Sequence, residues 1–462
     1  MQSPVATANP VAKTPITARQ MRALRTDWED QLLRDNDLLR AIADKVGGPF
    51  HIMFPEQIAD NIRGFQKVFA DKGVTGLIRY GKKANKAACA VTACAQTDAG
   101  VDVSSVGELK AALAGGVLGE NLMVTGPAKS HELLELAAHH GAVIAIDHLD
   151  EISHLAQRER ADDASSPTRI VLRVLPPESN SRFGMTNHEI AVALEKIDNE
   201  SVQLNGFSFH LPGYDPAPRA ELAHNLIDRC LRAREQGHPA SVISIGGGFS
   251  VGYVSKDDWS EFSTNYSRLW FHGDRGPTLD SYYPYHCETP GPDMLRAILE
   301  HNDLEHRLRM EQIHLVIEPG RALLAGAGST VFQVQGRKTR QAHDFPYDIL
   351  TVNGTSLSLS EQWFESEFLP DPVLWPLSIE SAAAVPTCVG GATCLESDML
   401  SRRRIPLGRR AETGDLLMYL NTAGYQMDSN ESAFHELQTP PKVVVWRTEG
   451  NKLTYRFDDS TS

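Results

Sequence analysis

The chain is 462 residues long, carries a formal net charge of −14, and is 41 % hydrophobic and 23 % charged. That length exceeds one small core and points to a large domain with a second one, or a barrel with an appendage. The acidic balance excludes nucleic acid and anionic membrane as main partners, and no run approaches the roughly 18 apolar residues of a membrane span, so a small-molecule partner is expected.

In chain order, residues 1–15 ("MQSPVATANPVAKTP") lack the apolar segment of a signal peptide and read as a disordered tail. Residues 16–54 read as a helical segment followed by a strand, "GPFHIMF" (48–54), expected to join a β-domain further along. From 55 to 325, eight apolar runs, the first "TGLIRYGK" and the last "IHLVIEPGR", alternate with amphipathic stretches such as "SHELLELAAHH" and "NHEIAVALEKI". That alternation predicts parallel strands with helical crossovers, and eight units predict a (β/α)8 TIM barrel. An open doubly wound sheet is the alternative, but no G-x-G-x-x-G follows an early strand.

An insertion at 253–291 is long for a loop after the seventh strand. It reads either as a lid or dimer contact, or as a packed excursion with its own aromatic core. From 326 to 462 the alternation stops, and short runs such as "STVFQVQGRK", "DLLMYLNT" and "PKVVVWRT" predict a C-terminal antiparallel β-domain. The basic run "SRRRIPLGRR" (401–410) reads as a solvated loop. Six cysteines, Cys89, Cys94, Cys230, Cys287, Cys388 and Cys394, show no C-x-x-C spacing, so neither a metal site nor a disulfide framework is expected and a cytoplasmic location fits.

A barrel carries its chemistry at the C-terminal ends of its strands. There the sequence places Lys83, Asp102, Ser104, Arg173, His210, the run Gly246, Gly247 and Gly248, and the pair Glu318 and Arg321. A lysine deep in a strand is expected to be desolvated, which makes its amine nucleophilic. Strand parity separates Arg79, Gly81 and Lys83 from Ile78, Tyr80 and Lys82 but does not say which set faces inward. The glycines in "SIGGGFS" let backbone N–H groups approach a phosphate, or merely make a tight turn. In "IEPGRALL", Glu318 suits a pyridine nitrogen and Arg321 a phosphate, unless the two form a buried salt bridge. His210 suits stacking on an aromatic ring, or a core position. Together these residues fit a phosphorylated, electron-poor cofactor held as an imine, which describes pyridoxal 5′-phosphate.

The order and wording of these motifs resemble the fold type III pyridoxal-phosphate decarboxylases, which include ornithine, arginine and diaminopimelate decarboxylases. "YGKKAN" resembles the family's lysine motif and implies Lys83 as the imine-bearing residue. "VDVSSVGEL" implies a cofactor-supporting role for Asp102, with Glu108 at a matching position. "GFSFHLPGY", "IGGGF" and "EPGR" imply that His210 stacks on the pyridine face, that the glycines form the phosphate loop, and that Glu318 is the pyridinium carboxylate. "GATCLESDML" (391–400) places Cys394 as proton donor, and "TAGYQM" places Tyr425 at the phosphate. The resemblance further implies an amino-acid substrate and a homodimer with shared active sites, the cysteine loop coming from the partner. It implies decarboxylation through Lys83 and Cys394; an amino-acid racemase or epimerase on this fold, or a relative that has lost catalysis, are the alternatives. The sequence departs from the family where Leu395 follows the cysteine in place of an acidic residue, leaving Glu396 or Asp398 to receive a distal amino group. It departs again at Gly213, where many relatives carry a phosphate-binding serine.

Overall fold

The computed structural model describes residues 18–159, 167–177, 179–359, 367–377 and 385–458. The expected tail, 1–15, lies outside them. Helix α1 (Asp27–Arg34) opens on a Thr26/Glu29 capping box, and α2 (Asn36–Val46) closes on Gly47 in the left-handed region, φ 67. Trp28, Leu32, Leu39 and Ile42 from these helices pack on Phe50 and Ile52 of β1 (Phe50–Met53) and on Val443 and Val445.

After α3 (Pro55–Lys72) the chain enters a closed barrel of eight parallel strands, β2 (Gly76–Gly81), β3 (Gly100–Val103), β4 (Leu122–Val124), β5 (Val143–Ile146), β6 (Thr168–Arg173), β7 (Val202–Ser208), β8 (Val242–Ser244) and β9 (His314–Ile317). The crossovers are α4 (Ala88–Gln96), α5 (Val106–Ala114), α6 (His131–His139), α7 (Leu149–Glu159), α8 (Asn187–Lys196), α9 (Pro216–Glu235), and a final group of α10 (Lys256–Thr264), α11 (Pro292–Glu300) and α12 (Leu304–Met310). Each expected barrel run contains one of these strands. The barrel closes where β2 pairs with β9, in the register Gly76 to Leu315 and Ile78 to Ile317.

The C-terminal unit is built on β10 (Gly328–Ala342), β11 (Phe345–Val352), β12 (Val373–Trp375), β13 (Val385–Gly390), β14 (Met399–Leu407), β15 (Leu416–Tyr419), β16 (Lys442–Arg447) and β17 (Leu453–Phe457). The N-terminal strand β1 enters this sheet between β10 and β16. The sheet is mixed: β1 with β16 and β11 with β13 are parallel, and the other pairings are antiparallel.

The basic run 401–410 corrects its expectation, because most of it is β14. Arg403 and Arg404 are buried: Arg403 pairs with Asp371 at 2.6 Å, and Arg404 reaches Asp274 at 3.2 Å. A charge pattern cannot reveal a strand whose arginines have carboxylates waiting for them. Asp274 belongs to the insertion 253–291, whose Phe271 bridges to Arg403. The insertion is therefore braced against the chain's own sheet. Trp259, Phe262, Tyr266, Trp270 and Tyr282 form its aromatic core, with ring centroids 5.6 to 6.4 Å apart.

Candidate active site

Strand β2 ends in a short 3-10 turn, Lys82–Ala84, that sends its two lysines in opposite directions. Lys82 is buried and feels the charges of Glu108, Asp428 and Lys442, its Nζ reaches the Lys86 carbonyl at 3.4 Å as its one hydrogen bond among the described residues, and burial lowers its pKa. Lys83 is exposed at the barrel mouth, and its charge acts on both Asp102 and His210. This corrects the expectation that Lys83 is desolvated. The inward parity set is the one with Arg79 and Lys83, since Arg79 Nη1 contacts the Met123 sulfur across the barrel interior at 3.1 Å.

The turn is fixed by the residue after it. Asn85 is fully buried, donates to the Ala423 carbonyl at 2.8 Å, and accepts from the Ala87 N–H at 2.8 Å. Tyr425 N–H donates to the Ala84 carbonyl at 2.8 Å, and Lys86 N–H to Asp428 at 2.6 Å. The lysine turn is thus clamped by the segment 423–428 of the C-terminal domain. Losing a buried amide such as Asn85 costs on the order of 1–3 kcal/mol.

Asp102, in register with Gly81 and Met123, is buried, and its Oδ1 has no hydrogen-bond partner among the described residues. Burial raises its pKa well above the carboxylate range, Glu318 raises it further, and Lys83 opposes. Glu108 adds to the rise at Asp102 only as the weakest of these influences. Its carboxylate accepts from the Ser104 N–H at 2.8 Å and caps the start of α5.

Beyond β8, Gly246 and Gly248 adopt φ +66 and +81, conformations that disfavour side chains. A Cβ on Gly246 would meet His210 Nδ1 at 2.7 Å, one on Gly247 the Glu318 carbonyl at 2.7 Å, and one on Gly248 the Arg219 guanidinium at 2.3 Å. The glycine turn is therefore wedged between the ends of β7 and β9. Arg219, almost wholly buried, braces the loop after His210 by donating to the carbonyls of Leu211 at 2.9 Å and Gly213 at 2.7 Å. Gly213 itself has φ +73, which accounts for a glycine in this loop. His210 lies at the mouth with its pKa pushed down to about 4, by burial first and then by Lys83 and Arg173. Its ring is neutral near pH 7.

Glu318 is half-buried and accepts from Ser244 Oγ at 2.5 Å, and Ser244 Oγ in turn accepts from the Gly246 N–H at 3.2 Å. Ser244 escaped the sequence reading, although it immediately precedes the "IGGG" motif on a mouth-ending strand. Arg321 is buried rather than free in the mouth. It donates to Tyr253 Oη at 2.8 Å and to the Gly424 carbonyl at 3.4 Å, with Tyr283 and Tyr425 rings at 4.6 and 4.9 Å. Burial works against its charge, and the surrounding tyrosines outweigh that and raise its pKa. Tyr283 comes from the insertion, so part of the wall over Arg321 is insertion-built. Tyr425 has φ +77, and its hydroxyl sits 3.0 Å from where a Gly320 Cβ would be.

Lys83, Asp102, His210, Gly246, Gly247, Gly248, Glu318, Arg321 and Tyr425 are thereby brought to one mouth. The cysteine loop stands apart. Cys394 is exposed and its Sγ lies 3.2 Å from His435 Nε2, a partner the sequence reading missed. Leu395 is 49 % exposed, and the Glu396 side chain is 97 % exposed with His272 Nε2 at 3.8 Å. Asp398 corrects its expectation as a substrate ligand, because its carboxylate accepts from Ser356 N–H at 2.8 Å and Thr393 N–H at 3.0 Å. It holds the loop's shape. No hydrogen bond or ion pair among the described residues joins this loop to Lys83, His210 or Glu318.

The mouth fits a phosphorylated pyridine aldehyde. The glycine turn brings side-chain-free backbone to the mouth, Arg321 supplies a cation, Glu318 supplies a carboxylate for a ring nitrogen, the buried Asp102 Oδ1 lacks a partner, and Lys83 offers an amine. Residues 56–274 match the family model described as "Pyridoxal-dependent decarboxylase, pyridoxal binding domain". The chain is 32 % identical over 431 residues to the uncharacterized protein y4yA of Sinorhizobium fredii, covering 91 % of this chain and 93 % of that one. It is 24 % identical to the diaminopimelate decarboxylase of Halalkalibacterium halodurans, over 87 % of this chain and 88 % of the relative. Among solved structures, the lysine/ornithine decarboxylase of Vibrio vulnificus complexed with putrescine superposes with a TM-score of 0.68 at 19 % identity, over 91 % of this chain and 99 % of that one. The diaminopimelate decarboxylase of Helicobacter pylori complexed with L-lysine superposes with a TM-score of 0.67 at 18 % identity, over 91 % and 95 %.

Proposed function

The chain belongs to the fold type III pyridoxal-dependent decarboxylases, with pyridoxal 5′-phosphate as cofactor, and we propose that it removes the α-carboxylate of an amino acid or amino-acid-derived substrate. The observation that carries this reading is Glu318, a carboxylate aligned by Ser244 at the mouth that also holds Lys83. When bound, the cofactor supplies the electron sink for the pair left behind by carbon dioxide.

Each side chain then has one task. Lys83 would supply the amine that holds the cofactor's aldehyde end. Glu318 holds a proton at the ring nitrogen, which keeps the sink deep. Racemases of this fold place an arginine there, so Glu318 supports decarboxylation over racemisation. His210, neutral, presents an uncharged ring face for stacking. The glycine turn, Arg321 and Tyr425 would hold the phosphate end, and Asp102 would support the ring. Cys394 donates the proton to the α-carbon after carbon dioxide leaves.

Cys394 is out of reach of its own mouth by any contact among the described residues, and it shares its surface with the exposed apolar Leu395 and Phe434. That combination supports a homodimer in which the partner's loop completes each site. Six free cysteines suit a reducing compartment, so we place the enzyme in the cytoplasm. With Leu395 after the cysteine and Asp398 committed to its own loop, Glu396 is the remaining carboxylate for a distal cation. A substrate larger or less basic than a plain diamino acid follows.

The test is carbon dioxide release by the purified, cofactor-loaded protein across ornithine, lysine, arginine, diaminopimelate and their N-acylated or carboxylated derivatives. Release from one of them is expected. Cofactor binding with exchange of the α-hydrogen and no release would replace decarboxylation by racemisation.

A further inference from the structure

The barrel has a second polar opening at its N-terminal end, away from Lys83. A cavity of about 390 Å³ lies there, walled by Arg79, Arg169, Asn205 and His314, with Asp98 and Glu120 also on its lining. Arg79 is 5 % exposed, and the only hydrogen bond its guanidinium makes among the described residues goes to the Met123 sulfur at 3.1 Å. With one weak protein acceptor for five N–H donors, the rest of the guanidinium is left to the cavity that it lines. Arg169 donates to the carbonyls of Gly141 at 2.6 Å and Glu120 at 3.5 Å, and neither arginine forms an ion pair with a carboxylate among the described residues. Burial pushes the Arg79 pKa down to about 10, Glu318 opposing and the like charge of Arg169 adding to the fall. Asn205 Oδ1 is buried without a partner. Amide oxygen and nitrogen exchange places freely in assignment, so that end serves equally as a donor.

We propose that this cavity binds a small oxyanion between Arg79 and Arg169, at the opposite end of the barrel from the cofactor. Guanidinium forks match the oxygens of a phosphate or carboxylate, and such a ligand supplies the acceptors that the protein withholds from Arg79. Asp98 and Glu120 on the same wall keep the site to small ions of low charge. The usual reading of a barrel's N-terminal face is stability alone. A guanidinium that lines a cavity with so few protein acceptors, beside a second arginine, is why an occupant is inferred.

The experiment uses the holoenzyme saturated with cofactor, so that the glycine turn and Arg321 are already engaged. Inorganic phosphate is titrated against chloride at matched ionic strength, by calorimetry and by thermal midpoint. Saturable binding with a midpoint rise of a few degrees is expected for the parent protein, and Arg79→Met and Arg169→Gln should each abolish both while keeping the visible cofactor band. No phosphate-specific response in the parent, or an undiminished response in Arg169→Gln, would overturn the proposal. Arg169 is half-buried and bonded only to loop carbonyls, so its variant decides the matter if Arg79→Met does not fold. A loaded enzyme that releases no carbon dioxide from any substrate would count against the proposed activity without touching this result.

Discussion

At the barrel mouth Glu318 is held by Ser244, Arg321 by Tyr253, and the lysine turn by Asn85, whereas in the cysteine loop Cys394 meets His435 alone among the described residues and the Glu396 side chain is almost fully exposed. The mouth is organised within one chain before anything binds. The loop has a fixed shape, through Asp398, but no counterpart. Preorganised groups at the mouth spend little reorganisation during reaction, and an exposed thiol with apolar neighbours gains its role only when another surface covers it. The difference teaches that the mouth groups are held by contacts within the chain, whereas no hydrogen bond or ion pair among the described residues ties the cysteine loop to them.

The largest effect that would break this contrast is at the mouth. Lys83→Ala should remove activity, by about 10³-fold or more, together with the visible band, while Lys82→Ala keeps the band; rapid spectra and turnover check both. Glu318→Gln should lower turnover by roughly 10²- to 10³-fold with cofactor still bound, read as kcat at saturating substrate. On the loop side, Cys394→Ala should cost roughly 10²-fold in turnover yet shift unfolding free energy by less than about 0.5 kcal/mol, since the thiol is exposed. Mixing Lys83→Ala with Cys394→Ala should restore about a quarter of parental activity if sites are shared between two chains, and none if each chain is self-sufficient.

A smaller effect sharpens the intramolecular half. Burial raises the pKa of Asp428, but Lys442 and the Lys86 N–H outweigh burial, and its folded pKa lies below the ordinary value. The stability it contributes is present above the unfolded pKa of about 3.9 and is lost as pH falls through the folded value. Asp428→Asn should therefore unfold more easily at pH 7, by about 1–3 kcal/mol in denaturant titration, with the gap to the parent closing in acid. A gap independent of pH would mean that charge is not what clamps the lysine turn.

Much of this was legible from the chain. Period-two and helical runs marked the barrel because each strand is buried by the helix that follows it, and the mouth residues were found because strand ends are fixed by fold geometry. What escaped depended on contacts between distant segments. Arg403 and Arg404 read as solvated because Asp371 and Asp274, which neutralise them, lie far away in sequence. Asp398 read as a ligand because nothing in its neighbourhood announces that Ser356 donates to it. Strand parity alone left the inward face of β2 open, and the burial expected for Lys83 belongs to Lys82. Ser244 and Tyr283 support the site through side-chain geometry that spacing does not encode.

The most direct measurement is the visible absorbance of three purified proteins, the parent, Lys83→Ala and Lys82→Ala, each saturated with pyridoxal 5′-phosphate. The parent and Lys82→Ala should show a band that survives dialysis, and Lys83→Ala should show none. A band retained by Lys83→Ala and lost from Lys82→Ala would place the reactive amine on the buried side of the turn and contradict the account.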